Sequence, residues 1–141
     1  MREGETRLYE NLSVIPRAFF PNIILYAKNN QEAIKKLYAN SKLLKKISVV
    51  VDAKDLPNNV YSMARADVSL HEANKVIVKT NNTETRLLVL TDTYYPTWHA
   101  KICYENETGC KEAKIYLTDY NFRGVVVPPG KHSIIFYNTL L

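Results

Sequence analysis

The most constraining feature of this sequence is a succession of short strand-like segments along most of the chain. In several of them apolar and polar residues alternate, as with Trp98, Ala100 and Ile102 on one face of a segment. Turn residues separate the segments; the Pro-Pro-Gly-Lys sequence at 128–131 is the clearest example. The predicted strands are residues 18–26, 47–51, 64–70, 75–80, 86–91, 98–104, 114–117, 124–127 and 133–137. The pattern predicts a mostly β fold, an antiparallel, jelly-roll-like β-sandwich.

One segment has the pattern of a helix. Asn29 is a good N-cap residue, and Glu32 follows it three positions later, as in a capping box. Ile34 and Leu37 then lie near one face at helical spacing. The sequence therefore predicts a single α-helix over residues 31–44.

Length and composition limit the classes of function. A chain of 141 residues corresponds to one domain, which we predict at residues 6–139 after a linker at residues 1–5. The hydrophobic fraction of 46% is too high for a disordered protein. The net charge of +5 is compatible with an acidic partner surface but does not indicate nucleic acid, so no nucleic-acid partner is predicted. No apolar run is long enough to span a membrane.

Two cysteines flank one predicted loop. If residues 103–110 form a hairpin, Cys103 and Cys110 face each other across paired strands, and a disulfide in an oxidising compartment follows. The alternative is two unrelated free thiols. Two cysteines lack the further ligands of a zinc site, and the three histidines have no zinc-binding spacing, so we predict no metal and no cofactor.

Three Asn-x-Ser/Thr triplets begin at Asn11, Asn81 and Asn106. They are possible N-glycosylation sites. Asparagine is common in this chain, however, so chance matches are the alternative interpretation.

One cluster of side chains is the candidate glycan-binding site. Aromatic rings stack on the apolar face of a sugar, while carboxylates and other polar groups bond its hydroxyls. The structural alternative is that the rings fill the edge of the sandwich and that Arg123 pairs with Asp92 or Asp119 to hold loops together. The candidate residues are Asp92, Tyr94, Tyr95, Trp98, His99, Asn121 and Arg123.

Catalysis has little support in the sequence. Glycoside hydrolysis needs two carboxyl groups across one cleft. Asp92 and Asp119 are the only candidates, and no sequence pattern brings them together. The motifs of serine hydrolases, phosphate-binding loops and dinucleotide-binding folds are missing from the chain. We therefore predict no catalytic residue in this domain.

Two blocks of sequence carry a family resemblance. Residues 87–100 read Leu-Leu-Val-Leu-Thr-Asp-Thr-Tyr-Tyr-Pro-Thr-Trp-His-Ala, and residues 121–132 read Asn-Phe-Arg-Gly-Val-Val-Val-Pro-Pro-Gly-Lys-His. Together they resemble signatures of the YfhO family of bacterial and archaeal membrane proteins. Tyr-Glu-Asn at 9–11 and Pro-Arg-Ala-Phe at 16–19 extend the resemblance to nearly the whole chain. Two departures are Thr97, where the family has glycine, and the longer loop at 103–110.

The resemblance implies a membrane context. YfhO-like proteins contain many spanning helices and resemble GT-C glycosyltransferases that use lipid-linked sugars. A domain of this kind lies on the extracytoplasmic side of the cell membrane, with the membrane-embedded part of the same polypeptide as its partner. The expected function is an accessory domain that positions glycan or lipid-linked sugar. The alternatives are a free-standing secreted carbohydrate-binding module and a small hydrolase that uses Asp92 or Asp119.

Overall fold

The computed structural model describes residues 16–43, 46–53, 56, 59–104 and 109–139. Within these ranges the chain forms eleven strands and one α-helix. They are β1 (Ala18–Phe19), β2 (Ile23–Ala27), α1 (Asn30–Ala39), β3 (Ile47–Val51), β4 (Ala64–His71), β5 (Lys75–Asn82), β6 (Arg86–Leu90), β7 (Trp98–Tyr104), β8 (Cys110–Ala113), β9 (Tyr116–Thr118), β10 (Phe122–Val127) and β11 (Gly130–Asn138). The predicted mostly β fold with one helix is confirmed.

The strands form two sheets. Sheet A has six strands in the order β1-β6-β10-β9-β3-β2, and sheet B has five in the order β4-β5-β11-β7-β8. The paired strands are antiparallel, as predicted, except that β2 and β3 run parallel. A parallel pair needs a crossover connection, and α1 supplies it. The fold is thus a β-sandwich with one β-α-β unit at the edge of sheet A.

The core lies between the two sheets. Leu88 and Val125 of sheet A pack against Val78, Ile134 and Phe136 of sheet B, and all five side chains are fully buried. On β5 and β11 the buried inward residues alternate with more exposed outward ones, and this agrees with the alternation in the sequence.

Sheet A is covered on its outer face as well. Leu87 of β6 belongs to an outer cluster with Leu56 and with Val50 of β3. Leu37 of α1 packs against Val49, which lies on the other face of β3 from Val50, so β3 is covered on both faces. Strands buried on both faces read as continuous apolar runs. This burial explains why β3 and β6 show no alternation in the sequence.

The helix begins where predicted and ends earlier. The Asn29 side chain accepts a hydrogen bond from the Glu32 amide at 2.9 Å, which confirms the N-cap. The helix ends at Ala39, and residues Ser41–Leu43 form a short 3-10 turn, so the predicted end at residue 44 is wrong. None of the described helices is long and apolar enough to cross a membrane.

Two predicted strands differ in the structure. The segment at 18–26 becomes β1 and β2, because Pro21 lies between them and has no amide hydrogen for a sheet. The segment at 114–117 is a strand only from Tyr116, where β9 begins, and β8 before it was not predicted and belongs to the other sheet. Strand β8 is difficult to predict because its exposed Lys111 and Glu112 weaken the apolar signal.

Candidate functional site

The connection between β6 and β7 is held firmly at one end of the sandwich. The Thr91 amide donates to the Arg17 carbonyl at 2.8 Å, and the Tyr94 amide donates to the Asn121 carbonyl at 2.8 Å. The connection is therefore tied both to the residue before β1 and to the β9–β10 hairpin. Asp92 lies within it.

Asp92 is the centre of a group of side chains that we call the Asp92 cluster: Arg17, His71, Asp92, Trp98 and Arg123. Arg17 Nη1 donates to Asp92 Oδ1 at 2.8 Å, and His71 Nε2 lies 3.1 Å from Asp92 Oδ2. Arg123 Nη1 lies 3.9 Å from Asp92 Oδ2. Of the two pairings considered for Arg123, the structure contains the one with Asp92.

A β-bulge in β4 brings His71 into this cluster. The register with β5 shifts at Ser69, so that Leu70 is opposite Ile77 and His71 is opposite Val76. One extra residue reverses the alternation of side chains along a strand. His71 therefore lies on the side of the sheet where Val76 is buried. On an uninterrupted strand Leu70 would share the face of Val68, but after the bulge it lies on the face of Ile77.

The indole of Trp98 is covered by Arg123. The Arg123 Cζ atom lies 3.9 Å from the centroid of the Trp98 ring, and Arg123 Nε donates to the Thr93 carbonyl at 2.9 Å. Only 9% of Trp98 and 4% of Arg123 are exposed. Burial lowers the pKa of the Arg123 guanidinium, and the Asp92 carboxylate opposes this shift. One face of the indole is thus occupied by protein and is not free to stack on a sugar.

Two tyrosines are exposed at this end of the sandwich. Tyr95 is 56% exposed and follows Tyr94, while Tyr120 is 46% exposed and precedes Asn121. The Tyr94–Asn121 hydrogen bond joins their loops. Tyr120 has a φ of 74°, a left-handed conformation that tyrosine adopts rarely. The structure therefore presents two aromatic rings on loops that are bonded to each other.

The predicted glycan-binding residues divide into two groups. Asp92, Tyr94, Tyr95, Trp98, Asn121 and Arg123 lie on the joined loops or in the cluster. His99 lies on the other face of β7, where it contacts Tyr137 at a centroid distance of 5.6 Å. Sequence analysis missed Arg17, His71 and Tyr120. The only signal for Tyr120 is an aromatic residue within a short polar turn.

Asp119 belongs to a separate network. Its Oδ1 accepts from the Val49 amide at 2.8 Å, and its Oδ2 accepts from Ser48 Oγ at 2.9 Å. Burial raises the pKa of the Asp119 carboxyl to about 7, although both hydrogen bonds lower it. These contacts fasten the β9–β10 hairpin to β3. Asp92 and Asp119 therefore have different partners, and no contact supports a joint catalytic role.

Cys103 and Cys110 form the expected disulfide. They are opposite each other in the β7–β8 pair, with their Cα atoms 4.2 Å apart. Of the possible glycosylation sites, Asn81 is exposed and lies in β5 rather than in a loop. Asn11 and Asn106 fall outside the described residues.

In the described ranges, no group of three or more His, Cys, Asp or Glu side chains could hold a metal ion. Comparison with family models, with curated proteins and with solved structures finds no match. The YfhO resemblance thus stays a prediction, and the geometry of the site is the main guide to function.

Proposed function

We propose that this chain is an extracytoplasmic accessory domain of a YfhO-like membrane protein, and that it holds a glycan or lipid-linked sugar without catalysing a reaction. The sequence resemblance supports the membrane context and the membrane-embedded part of the polypeptide as partner. The Cys103–Cys110 disulfide supports an oxidising outer compartment, because disulfides persist there and are rare in the cytosol.

The observation that carries the sugar-binding proposal is the exposed pair Tyr95 and Tyr120 beside the Asp92 cluster. Tyrosine offers an apolar ring with a polar tip, which suits a sugar that has both apolar faces and hydroxyls. Because the two loops are hydrogen-bonded to each other, the rings lose little freedom on binding.

Within the cluster, the groups that can reach a ligand are those of Arg17 and His71. Their side chains are 50% and 42% exposed, whereas that of Asp92 is 16% exposed. Asp92 Oδ1 already accepts a hydrogen bond from Arg17, and Asp92 Oδ2 lies close to His71 Nε2. Asp92 is therefore a positioning residue: it orients two exposed polar groups towards a bound sugar.

The experiment is a titration of the chain with a panel of neutral and anionic oligosaccharides, followed by amide chemical shifts in NMR. Tyr95→Ala and Tyr120→Ala should each weaken binding by about tenfold, the loss of one stacking contact. Tyr38→Ala is the control, since Tyr38 is also 46% exposed but lies on α1. Equal losses in all three variants, or no shifts with any sugar, would contradict the proposal.

The alternative is a free-standing secreted carbohydrate-binding module with the same site. An antibody against this domain, used on membrane and soluble fractions of the source organism, distinguishes the two. A band far larger than 16.2 kDa and confined to membranes supports the accessory domain. A secreted band near that mass supports the module.

A further inference from the structure

A groove on the outer face of sheet B lies away from the Asp92 cluster. It encloses about 170 Å³ and crosses β4, β5 and β11. We call it the Asn81 groove and define it by Arg65, Lys79, Asn81, Lys131 and Ser133. Arg65 and Lys131 are both register partners of Asn81, on opposite sides of it, and Lys79 is the register partner of Ser133.

The groove concentrates positive charge. Neighbouring strands lie about 4.8 Å apart, so Arg65 on β4 and Lys131 on β11 are separated by about 10 Å across β5. Lys79 lies on β5, two residues before Asn81, and therefore on the same face of the sheet. The one carboxylate that lines the groove, Asp67, is 3.3 Å from Arg65 Nε. Asp67 is also the register partner of Lys79, so it offsets part of the repulsion between the cations. Among the described residues neither lysine forms an ion pair, and the groove brings three cations together with one carboxylate.

Uncharged donors complete the groove. The Asn81 amide lies between the two outer cations, and the Ser133 hydroxyl lies beside Lys79. Strand β5 is paired on both sides, which holds the groove in place without a ligand. A bound anion would accept hydrogen bonds from several of these groups and offset their mutual repulsion.

We propose that the Asn81 groove binds a phosphate group, carried either by a soluble compound or by a lipid headgroup. Phosphate has several acceptor oxygens and a charge of about −1 to −2, which matches three cations with one partly neutralised. The Asn81 groove shares no residue with the Asp92 cluster or with Tyr95 and Tyr120. Phosphate binding in the groove is therefore independent of sugar binding at the other site. A glycan attached to Asn81 would fill the groove, so the test requires unglycosylated chain.

The test compares two double variants of the 141-residue chain that change the net charge equally. The groove variant is Lys79→Gln with Lys131→Gln, and the control is Lys35→Gln with Lys42→Gln, two exposed lysines on or just after α1. Each protein is titrated with inorganic phosphate in NMR. Each is also sedimented with phosphatidylcholine vesicles that contain or lack phosphatidylglycerol.

We expect phosphate to shift amides of β4, β5 and β11, and the groove variant to bind at least about tenfold more weakly than the control. Binding to inorganic phosphate identifies the phosphate group itself as the ligand. Binding only to phosphatidylglycerol vesicles, again lost in the groove variant alone, identifies a lipid headgroup. Equal losses in both variants, or binding to neither probe, would overturn the proposal.

Discussion

At the scale of single residues, a buried arginine lies at each end of the sandwich. Arg123 covers Trp98 at the end that carries Asp92. At the other end Arg86 donates to the Ser62 carbonyl at 2.7 Å and to the Phe20 carbonyl at 3.0 Å. Both guanidinium groups satisfy backbone carbonyls of neighbouring loops. These loops are thus held by side chains from the central strands of sheet A.

Replacement of Arg123 tests this role. Arg123→Met keeps much of the side-chain volume but removes the contact with Trp98 and the bond to the Thr93 carbonyl. We expect the free energy of unfolding to fall by about 2–4 kcal/mol, because a partly buried carbonyl loses its donor, the Trp98 ring loses its contact and Asp92 loses a nearby cation. Arg17→Met is the matched control, since the exposed Arg17–Asp92 pair should contribute less than about 1 kcal/mol. Chemical denaturation measures the free energy of unfolding of both variants. Equal losses in the two variants would show that the buried Arg123 contributes no more to stability than the exposed Arg17.

Asp119 should make stability depend on pH. The folded pKa of about 7 lies above the ordinary value of 3.8. Between these values the folded state keeps a proton that the unfolded state has lost, so this residue makes stability fall as pH rises from about 4 to 7. Asp119→Asn retains an acceptor for the Val49 amide and tolerates the φ of 51°. The free energy of unfolding of Asp119→Asn should therefore not show this decline between about pH 4 and 7.

The measurement is denaturant unfolding of the parent protein and of Asp119→Asn from pH 4 to 8. Burial lowers the pKa of His132, so that residue acts in the opposite sense and reduces stability below about pH 6.5. Only the difference between variant and parent therefore isolates Asp119. A difference that stays constant across the range would show that the Asp119 carboxyl titrates normally.

At the scale of elements, the Thr118 side chain of β9 occupies the space next to Gly124 of β10 that a larger residue would need. A Cβ atom there would lie 2.3 Å from Thr118 Oγ1 and 3.2 Å from Leu87 Cδ1. Gly124→Ala should therefore lower the free energy of unfolding by about 1–3 kcal/mol through overpacking. In the background of Thr118→Ala the same change should cost clearly less. Thermal unfolding of the parent, the two single variants and the double variant measures the coupling energy between the two positions. Additive losses of stability would show that the Thr118 side chain does not clash with the added methyl group.

The β7–β8 hairpin should depend on its disulfide. The link closes a loop with a sequence separation of 7. In the loop-entropy description, a loop of this size contributes about 2 kcal/mol. Replacing both Cys103 and Cys110 by serine should reduce the free energy of unfolding by this amount and speed amide exchange in β8. Unchanged exchange in β8 would show that strand pairing alone holds the edge.

At the scale of the whole molecule, sheet position should determine local stability. Strands β11 and β10 have neighbours on both sides and contribute the fully buried Ile134, Phe136 and Val125. Strand β8 is an edge strand with three exposed residues. We expect amide hydrogen exchange to be slowest in β10 and β11 and fastest, among the strands, in β8. Uniform exchange across the sheets would instead indicate that the molecule opens only as a whole.

Much of the local structure was predictable because short-range physics determines it. The alternation in β5 and β7, the Asn29 cap and the turn before β11 each depend on residues within a few positions of one another. The cysteine pair was predictable for the same reason, since a hairpin brings nearby residues together. The helix end was not, because Asn40 and the 3-10 turn end α1 without glycine or proline.

The candidate site was predictable only in part. A resemblance and an aromatic-rich loop directed attention to Asp92, Tyr95 and their neighbours. Arg17 and His71 are 75 and 21 positions from Asp92, and no sequence pattern connects them. His71 reaches the cluster only because a bulge changes the register of β4. Sequence periodicity assumes an uninterrupted strand, so it cannot show this.

The amino-acid sequence by itself determined the fold class, the main strands, the helix start and the disulfide, because each follows from local propensity, periodicity or spacing. Tertiary structure alone decided the parallel β2–β3 pair, the burial of Trp98 beneath Arg123 and the groove around Asn81. These features arise from contacts between distant segments. Their energies depend on register and packing across the two sheets, which a linear pattern does not specify.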